Sequence, residues 1–472
     1  MRKLMKLLSA VVVVGSSSLT AIACKRTTDK TYTIQVQAEK EWRPFYEKAA
    51  KVINTKLAAD KSKFKIEIKE IGTFDELGLF DKLPFTDSNL TDVFALPFDR
   101  FTSYVSENKL ADMSTVSIGE FDERLGGDVD KDVATASDGK KYGVTLNIES
   151  LITVYNKTKL GQDLVKNLED MTAKNVAEKR PVYNATLGDL WYGSLLYNTL
   201  ATKGLVNVVE ENNQIKSVET VFDYNNDDFK KVATSSYDFA QTLPESMFNV
   251  ATRWVGGKGL YDAVLDGKTD WFIAGPWDYS KKDASGRILK TAGFSDEDTV
   301  FGMKRKDIAF ESIDNYRVNN KQWKHFKGGF TLSMNNRLDR QQAKIQSAGK
   351  TKKEVATLFI QEILGETYAY DWYKYAGKIT PYKNGLAALL AEAKKEDQLI
   401  ESFVESIING YANSTSRPIH SIFNGFWGVY EDNYNSRAFS GAAPNKSKTG
   451  DDYARTLSHD IANYIRTFTF KK

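Results

Sequence analysis

Apolar and polar residues alternate through Tyr32-Thr-Ile-Gln-Val-Gln and again through Phe64-Lys-Ile-Glu-Ile-Lys-Glu-Ile, the two-residue period of strands with one buried face. Between them, from Pro44 to about Ala59, Phe45, Ala49, Val52 and Ile53 recur at helical spacing, with proline tolerated in the first turn. Asp92-Val-Phe-Ala-Leu-Pro predicts a third strand, and Asp99 is placed to cap a helix through Phe101, Tyr104 and Val105. Val144–Tyr155 is a long β-rich run broken by polar residues, suited to crossing between two lobes. Helices are predicted at Leu187–Thr202, Asp227–Thr242 and Leu260–Leu265, and strands at Thr269–Ala274 and from Gly329. From Glu354 onward the pattern is mostly helical. Strands alternating with helices predict an α/β chain rather than a bundle or a sandwich. At 472 residues it exceeds what one core usually serves, so two or more lobes are expected.

The first residues follow a different rule. Arg2, Lys3 and Lys6 precede the apolar run Leu7–Val14 and the small-residue stretch Ser16–Ala23, the layout of a secretory signal peptide and too short to span a membrane as a helix. Cys24 is the only cysteine. Ala21-Ile22-Ala23-Cys24 resembles the bacterial lipobox, with Ala21 where leucine is commonest; the resemblance implies cleavage after residue 23 and a diacylglyceryl chain on Cys24. The alternative, an ordinary free cysteine beside a cleavage site, leaves a reactive thiol unpaired in a secreted chain. Residues 1–23 are thus expected to be a signal peptide and 24–30 a tether at the extracytoplasmic face of a bacterial cell membrane.

Those three cations account for the whole formal charge of +3, so residues from Cys24 onward sum to zero. A neutral chain offers no clustered positive surface for nucleic acid or a polybasic membrane contact. Lys350-Thr-Lys-Lys and Lys394-Lys395 flank helical patterns and read as solvated faces. Only His325, His420 and His459 occur, without partners at metal spacing, so no metal, cofactor or nucleophile–histidine site is expected. Asp223-Tyr-Asn-Asn-Asp-Asp starts like a calcium loop, but Asp228 and Thr234 stand where glycine and glutamate are needed; it reads as a surface turn. Aromatic residues make up 12% of the chain, several beside glycine, proline or charge, where a core residue has less reason to be.

Four segments, in order, resemble the maltose-binding family of ABC-transporter substrate-binding proteins. They are Asp92-Val-Phe-Ala-Leu-Pro-Phe-Asp-Arg-Phe, continuing to Leu110-Ala-Asp; Gly139 through Lys157; Leu265-Asp-Gly-Lys-Thr-Asp-Trp-Phe-Ile-Ala-Gly-Pro-Trp; and Phe423-Asn-Gly-Phe-Trp-Gly-Val-Tyr. The resemblance implies a two-lobed periplasmic-binding-protein fold of class II. Residues 31–146 with 322–368 would form one lobe, and 147–321 with 369–472 the other. A sugar would lie in the interlobe cleft, beyond the carboxyl ends of strands.

Sugar hydroxyls suit charged planar groups, and sugar ring faces suit flat aromatics. By the resemblance, Asp99 and Arg100 match the family's Asp-Arg pair, Glu39 and Lys40 its acid–lysine pair, with Trp42 as the following aromatic, and Glu149 its hinge-proximal glutamate. Trp277 and Trp427 match the stacking tryptophans; Asp189, Trp191 and Tyr192 lie one residue off the family's carboxylate and aromatic. A carboxylate among Leu146, Ile148 and Leu151 is costly if buried unpaired, so Glu149 is expected to reach a wet cleft. Departures bear on specificity: Leu96 replaces a tryptophan, and Gly428 and Glu431 replace an aromatic and an arginine. The implied function is non-catalytic capture of a carbohydrate by a monomer that delivers it to membrane permease subunits with a cytoplasmic ATPase. A glycerophosphodiester receptor, a surface adhesin and a surface glycosidase are the alternatives.

Overall fold

The computed structural model describes residues 31–136, 138–202, 204–211, 214–243, 269–276, 299–300, 303–395, 398–418, 422–439 and 446–470. Cys24, the signal peptide, Trp277, His420 and the helix expected at Leu260–Leu265 lie outside them.

The chain opens with β1 (Tyr32–Ala38), β2 (Phe64–Glu70), β3 (Val93–Pro97) and β4 (Val144–Glu149) of one sheet. Two residues later, β5 (Ile152–Asn156) starts a second sheet with β6 (Tyr183–Asn184), β7 (Trp271–Ala274) and β8 (Ile308–Ser312). β9 (Gly328–Met334) then returns to the first sheet, giving the orders β2-β1-β3-β9-β4 and β8-β5-β7-β6. β1 runs parallel to β2 and β3, whereas β9 is antiparallel to β3 and β4. The mixed sheets, each flanked by helices, form the two-lobed binding-protein fold.

Helix α1 (Arg43–Ala59) buries Phe45, Tyr46, Ala49, Ala50, Ile53 and Leu57 on one face, as its spacing predicts, but Val52, expected in that stripe, lies outside it and is 37% exposed. Two helices follow β2 and β3: α2 (Thr73–Lys82), which the sequence pattern did not predict, and α3 (Phe98–Ser106). Asp99 is not the cap of α3. Pro97 holds that position without a side-chain bond, leaving the Asp99 carboxylate outward in the first turn.

In the second lobe α4 (Leu190–Tyr197) and α5 (Asp227–Gln241) pack with the C-terminal α10 (Ile422–Asn433) and α11 (Gly450–Phe470) around Trp271, Trp323, Phe426 and Tyr430. Asn226, within the calcium-like segment, caps α5 through its side chain. Between these helices in sequence come α6 (Lys352–Ile363), α7 (Ala369–Ala376), α8 (Lys383–Ala393) and α9 (Ile400–Ala412).

The chain changes sheets at Ser150-Leu151, and Trp372 and Tyr382 pack in the first lobe's core. A further cluster joins Phe98 and Ile148 to Ile152, Phe272 and Ile308 through α8 and α9, so the lobes share packing at their hinge. Lys352, expected on a solvated face, is buried beside Asp92, whose carboxylate also receives Arg337 Nε at 2.7 Å and the Gln35 amide at 2.9 Å. A second cation helps balance that buried carboxylate. No helix among the described residues is long and apolar enough to cross a membrane.

Candidate functional site

β9 begins where the two lobes meet, and its two glycines explain how closely. A Cβ on Gly329, whose φ is +141°, would lie 2.2 Å from the Asn147 carbonyl oxygen and 2.8 Å from the Phe98 ring; one on Gly328 would lie 3.0 Å from the Trp191 ring. Only glycine lets this strand pass between Phe98 of the first lobe and Trp191 of the second. Asp99, one residue beyond Phe98, is thereby brought within reach of the second lobe.

There it meets Arg417, in the connection between α9 and α10, at 3.1 Å. The guanidinium lies 4.8 Å from the Trp427 ring centre, 5.6 Å from Phe423 and 5.9 Å from Trp191. Burial draws its pKa below the usual arginine value, opposed by Asp99 and Asp189. Trp427 Nε1 donates to Glu431 at 2.7 Å, one helical turn on, which fixes the indole edge. Trp191 stands edge-on to His325 at 4.5 Å, and His325 Nε2 donates to the Trp191 carbonyl at 3.0 Å. Full burial pushes the His325 pKa down to about 3, so the ring is neutral.

Asp99, Trp191, Trp427 and Asp189 are thus gathered around Arg417. Asp189 caps α4, accepting the Trp191 amide at 2.7 Å, and is 6% exposed. Tyr192 faces the second lobe's core. Arg100 does not join Asp99; it turns back to Asp81 at 2.9 Å. Glu39 is half-buried at the end of β1 and accepts the Thr73 amide at 3.3 Å, while Lys40 is exposed. Trp42 is 3% exposed, edge-on to Trp372 at 5.2 Å within the first lobe's core.

Glu149 does not reach a wet cleft. It is buried at the hinge, where Lys378 donates at 2.6 Å and Asn147 at 3.1 Å. Lys378 belongs to a third crossing, whose Ile379 pairs with Ile148, and its ammonium lies 3.9 Å from the Phe330 ring centre. Pairing with Lys378 and Asn147 offsets the cost that a buried, unpaired carboxylate would carry.

Arg417 and Lys378 were missed. Arg417 stands in irregular chain just before Pro418, with no periodicity to mark it; Gly377-Lys-Ile-Thr, a turn residue followed by alternation, was a legible sign of a short crossing strand. Leu96 is buried on β3, and Glu431 is engaged by Trp427. Among the described residues no group of three or more histidine, cysteine or acidic side chains is placed to hold a metal.

The two mixed sheets and their flanking helices define a two-lobed periplasmic-binding-protein-like fold. Among solved structures, the chain is similar to a maltose-binding periplasmic protein from Listeria monocytogenes in complex with maltose, with TM-score 0.61, 18% identity, and coverage of 93% of this chain and 99% of that one. It is equally similar to MalX from Streptococcus pneumoniae in complex with maltopentaose, with TM-score 0.61, 18% identity, and coverage of 92% and 100%. In sequence it is similar to maltooligosaccharide ABC transporter solute-binding lipoproteins of two Streptococcus pneumoniae strains, 30% and 29% identical over 176 residues. The matched stretch spans 37% of each of those relatives and 35% and 34% of this chain. No protein-family model matches it.

Proposed function

We propose that this chain is the substrate-binding lipoprotein of an ABC importer, capturing maltooligosaccharides between its lobes and holding them without catalysis. The observation that carries this is the cluster at the lobe junction: a carboxylate of the first lobe, Asp99, meets Trp427 and Trp191 of the second around one guanidinium. Such groups match sugar hydroxyls and ring faces. The partial sequence likeness to maltooligosaccharide-binding lipoproteins supports the substrate class. A ligand touching both lobes favours the closed state, and the closed, ligand-filled state is what a permease can read.

In this reading Cys24 carries the lipid, and the monomer stays on the surface where its permease and cytoplasmic ATPase reside, which raises local concentration. Asp99, Trp191, Trp427 and Asp189 lie nearest the sugar. Glu39, Lys40 and Arg100 line the first lobe's side, and Trp277 belongs to the same set by its motif. Trp42, Tyr192 and Glu149 support the site from behind rather than touch the ligand. Calorimetry against maltose through maltoheptaose, with glycerophosphodiesters as comparison, tests the function. Binding that strengthens beyond the disaccharide is expected; no binding to any glucan, or selective binding of the phosphodiester, would overturn it. Fatty-acid labelling lost on Cys24→Ser tests the anchor.

A further inference from the structure

Arg417 occupies the groups that the proposed function assigns to the sugar. One guanidinium takes the Asp99 carboxylate at 3.1 Å and covers a face of Trp427 at 4.8 Å from the ring centre. Its side chain is only 17% exposed, and that of Asp99 31%, so the pair is partly withdrawn from water although it joins two lobes. The two residues reach it from opposite sides: Asp99 from the first turn of α3 in the first lobe, Arg417 from the segment leading into α10 in the second.

We infer that Arg417 is an internal competitor for the sugar site, a catch that holds the lobes together when no ligand is present and is displaced when a glucan enters. The inference rests on the sugar reading of the site. A cation over an indole face and a sugar ring on the same face exclude each other, since both need contact distance to one surface. Asp99 cannot give the same lone pairs to the guanidinium and to sugar hydroxyls. The catch therefore sets the threshold for capture. A short glucan that touches only one platform gains too little to displace Arg417, whereas a longer one that spans Trp427 and Trp191 gains more, so Arg417 selects for chain length.

The discriminating readout is ionic strength. A neutral sugar has no charge to screen, so its affinity is ordinarily indifferent to salt; a competing ion pair is weakened by salt. Wild-type affinity for maltotriose is expected to rise severalfold between low salt and about 0.5 M, where the screening length is short. Arg417→Ala should bind about three- to tenfold tighter at low salt, lose the salt dependence and gain most for the shortest glucans. Arg417→Lys, which keeps the charge but not the planar stacking, should fall between.

Small-angle scattering without sugar gives an independent reading: Arg417→Ala should be more open than wild type, with the same far-UV circular dichroism. Weaker glucan binding by Arg417→Ala would make Arg417 a sugar ligand and overturn the inference, as would salt-independent wild-type affinity. If wild type bound no glucan at all, the proposed function would fall. The scattering comparison would still decide the catch, which fails if Arg417→Ala is no more open.

Discussion

Two ion pairs join elements near the boundary between the lobes, and they differ in almost every physical respect. Glu149 and Lys378 have side chains 7% and 11% exposed, meet at 2.6 Å and sit on two adjacent crossings that also share the backbone bond from the Ile148 amide to the Ile379 carbonyl at 3.0 Å. Asp99 and Arg417 are 31% and 17% exposed and meet at 3.1 Å, and the backbone bonds beside Arg417 run from Thr415 to His325 and Lys327 rather than to the segment of Asp99. The first pair lies at the pivot, where rotation of the lobes moves its members together. The second joins α3 of the first lobe to the segment leading into α10 of the second, so in the catch reading opening of the lobes would pull its members apart. A buried pair at a hinge can be tight without opposing motion, whereas a partly exposed pair between the lobes can oppose it.

The largest expected effect follows from the hinge pair. Lys378→Ala leaves Glu149 buried with Asn147 alone and should cost about 3–5 kcal/mol, the range for stranding one member of a buried pair. Urea denaturation measures it. Replacing both partners, as in Glu149→Leu with Lys378→Met, should recover much of the loss, because the stranded charge is gone. If Lys378→Ala cost no more than Arg417→Ala, the division between pivot and catch would fail.

Acid should act on the side of the catch. His325 supports Trp191 and is neutral when folded, with a pKa of about 3, whereas in the unfolded chain it protonates near 6.5. Its contribution to stability is therefore complete above pH 6.5 and is lost as pH falls, because only the unfolded state takes up the proton. Between pH 7 and pH 5 this amounts to about 2 kcal/mol. His325→Gln should flatten that part of the stability profile; an unchanged slope would show that the loss arises elsewhere.

The contrast also shows what was legible in one sequence. Local patterning carried most of the sheets and helices: β1, α1, β2, α5 and β9 follow from alternation or helical spacing, and β3 from a short continuous apolar run buried on both faces. The site was legible where the resemblance supplied motifs, as at Asp99 and Trp427. It was not legible in the partners. Lys378 lies 229 positions from Glu149, and Arg417 is 318 positions from Asp99, so nothing local in either segment records the pairing. For the same reason Trp42 read as a platform when the packing of α1 against α7 puts it in the core, and Glu149 read as a cleft residue when a cation was waiting for it. The α2 helix escaped because Gly72 begins it without a side-chain cap.

A smaller effect separates the platforms from the catch. Trp427→Ala removes the surface that both the sugar and Arg417 use, and should weaken maltotriose binding by about 1–2 kcal/mol, somewhat more than a stacked aromatic pair contributes beyond its buried area. Fold stability should fall less than for a core tryptophan, since Trp427 is only partly buried at the edge of the second lobe's cluster. Calorimetry and thermal unfolding of one preparation separate the two. Unchanged affinity would remove Trp427 from the sugar site.

The smallest effect concerns Arg100, whose pair with Asp81 joins two helices of one lobe. Both side chains are about 40% exposed at 2.9 Å, and Asp81 keeps the Tyr104 hydroxyl at 3.0 Å when the arginine is gone. Exposed pairs of this kind contribute about 0–1 kcal/mol, so Arg100→Ala should leave the melting temperature nearly unchanged. It should also leave the unliganded lobe angle unchanged, since neither partner belongs to the second lobe. A loss of stability comparable to that of Lys378→Ala would place Arg100 with the buried pairs. Opening of the lobes would mean that Arg100, rather than Asp99 alone, holds the catch in register.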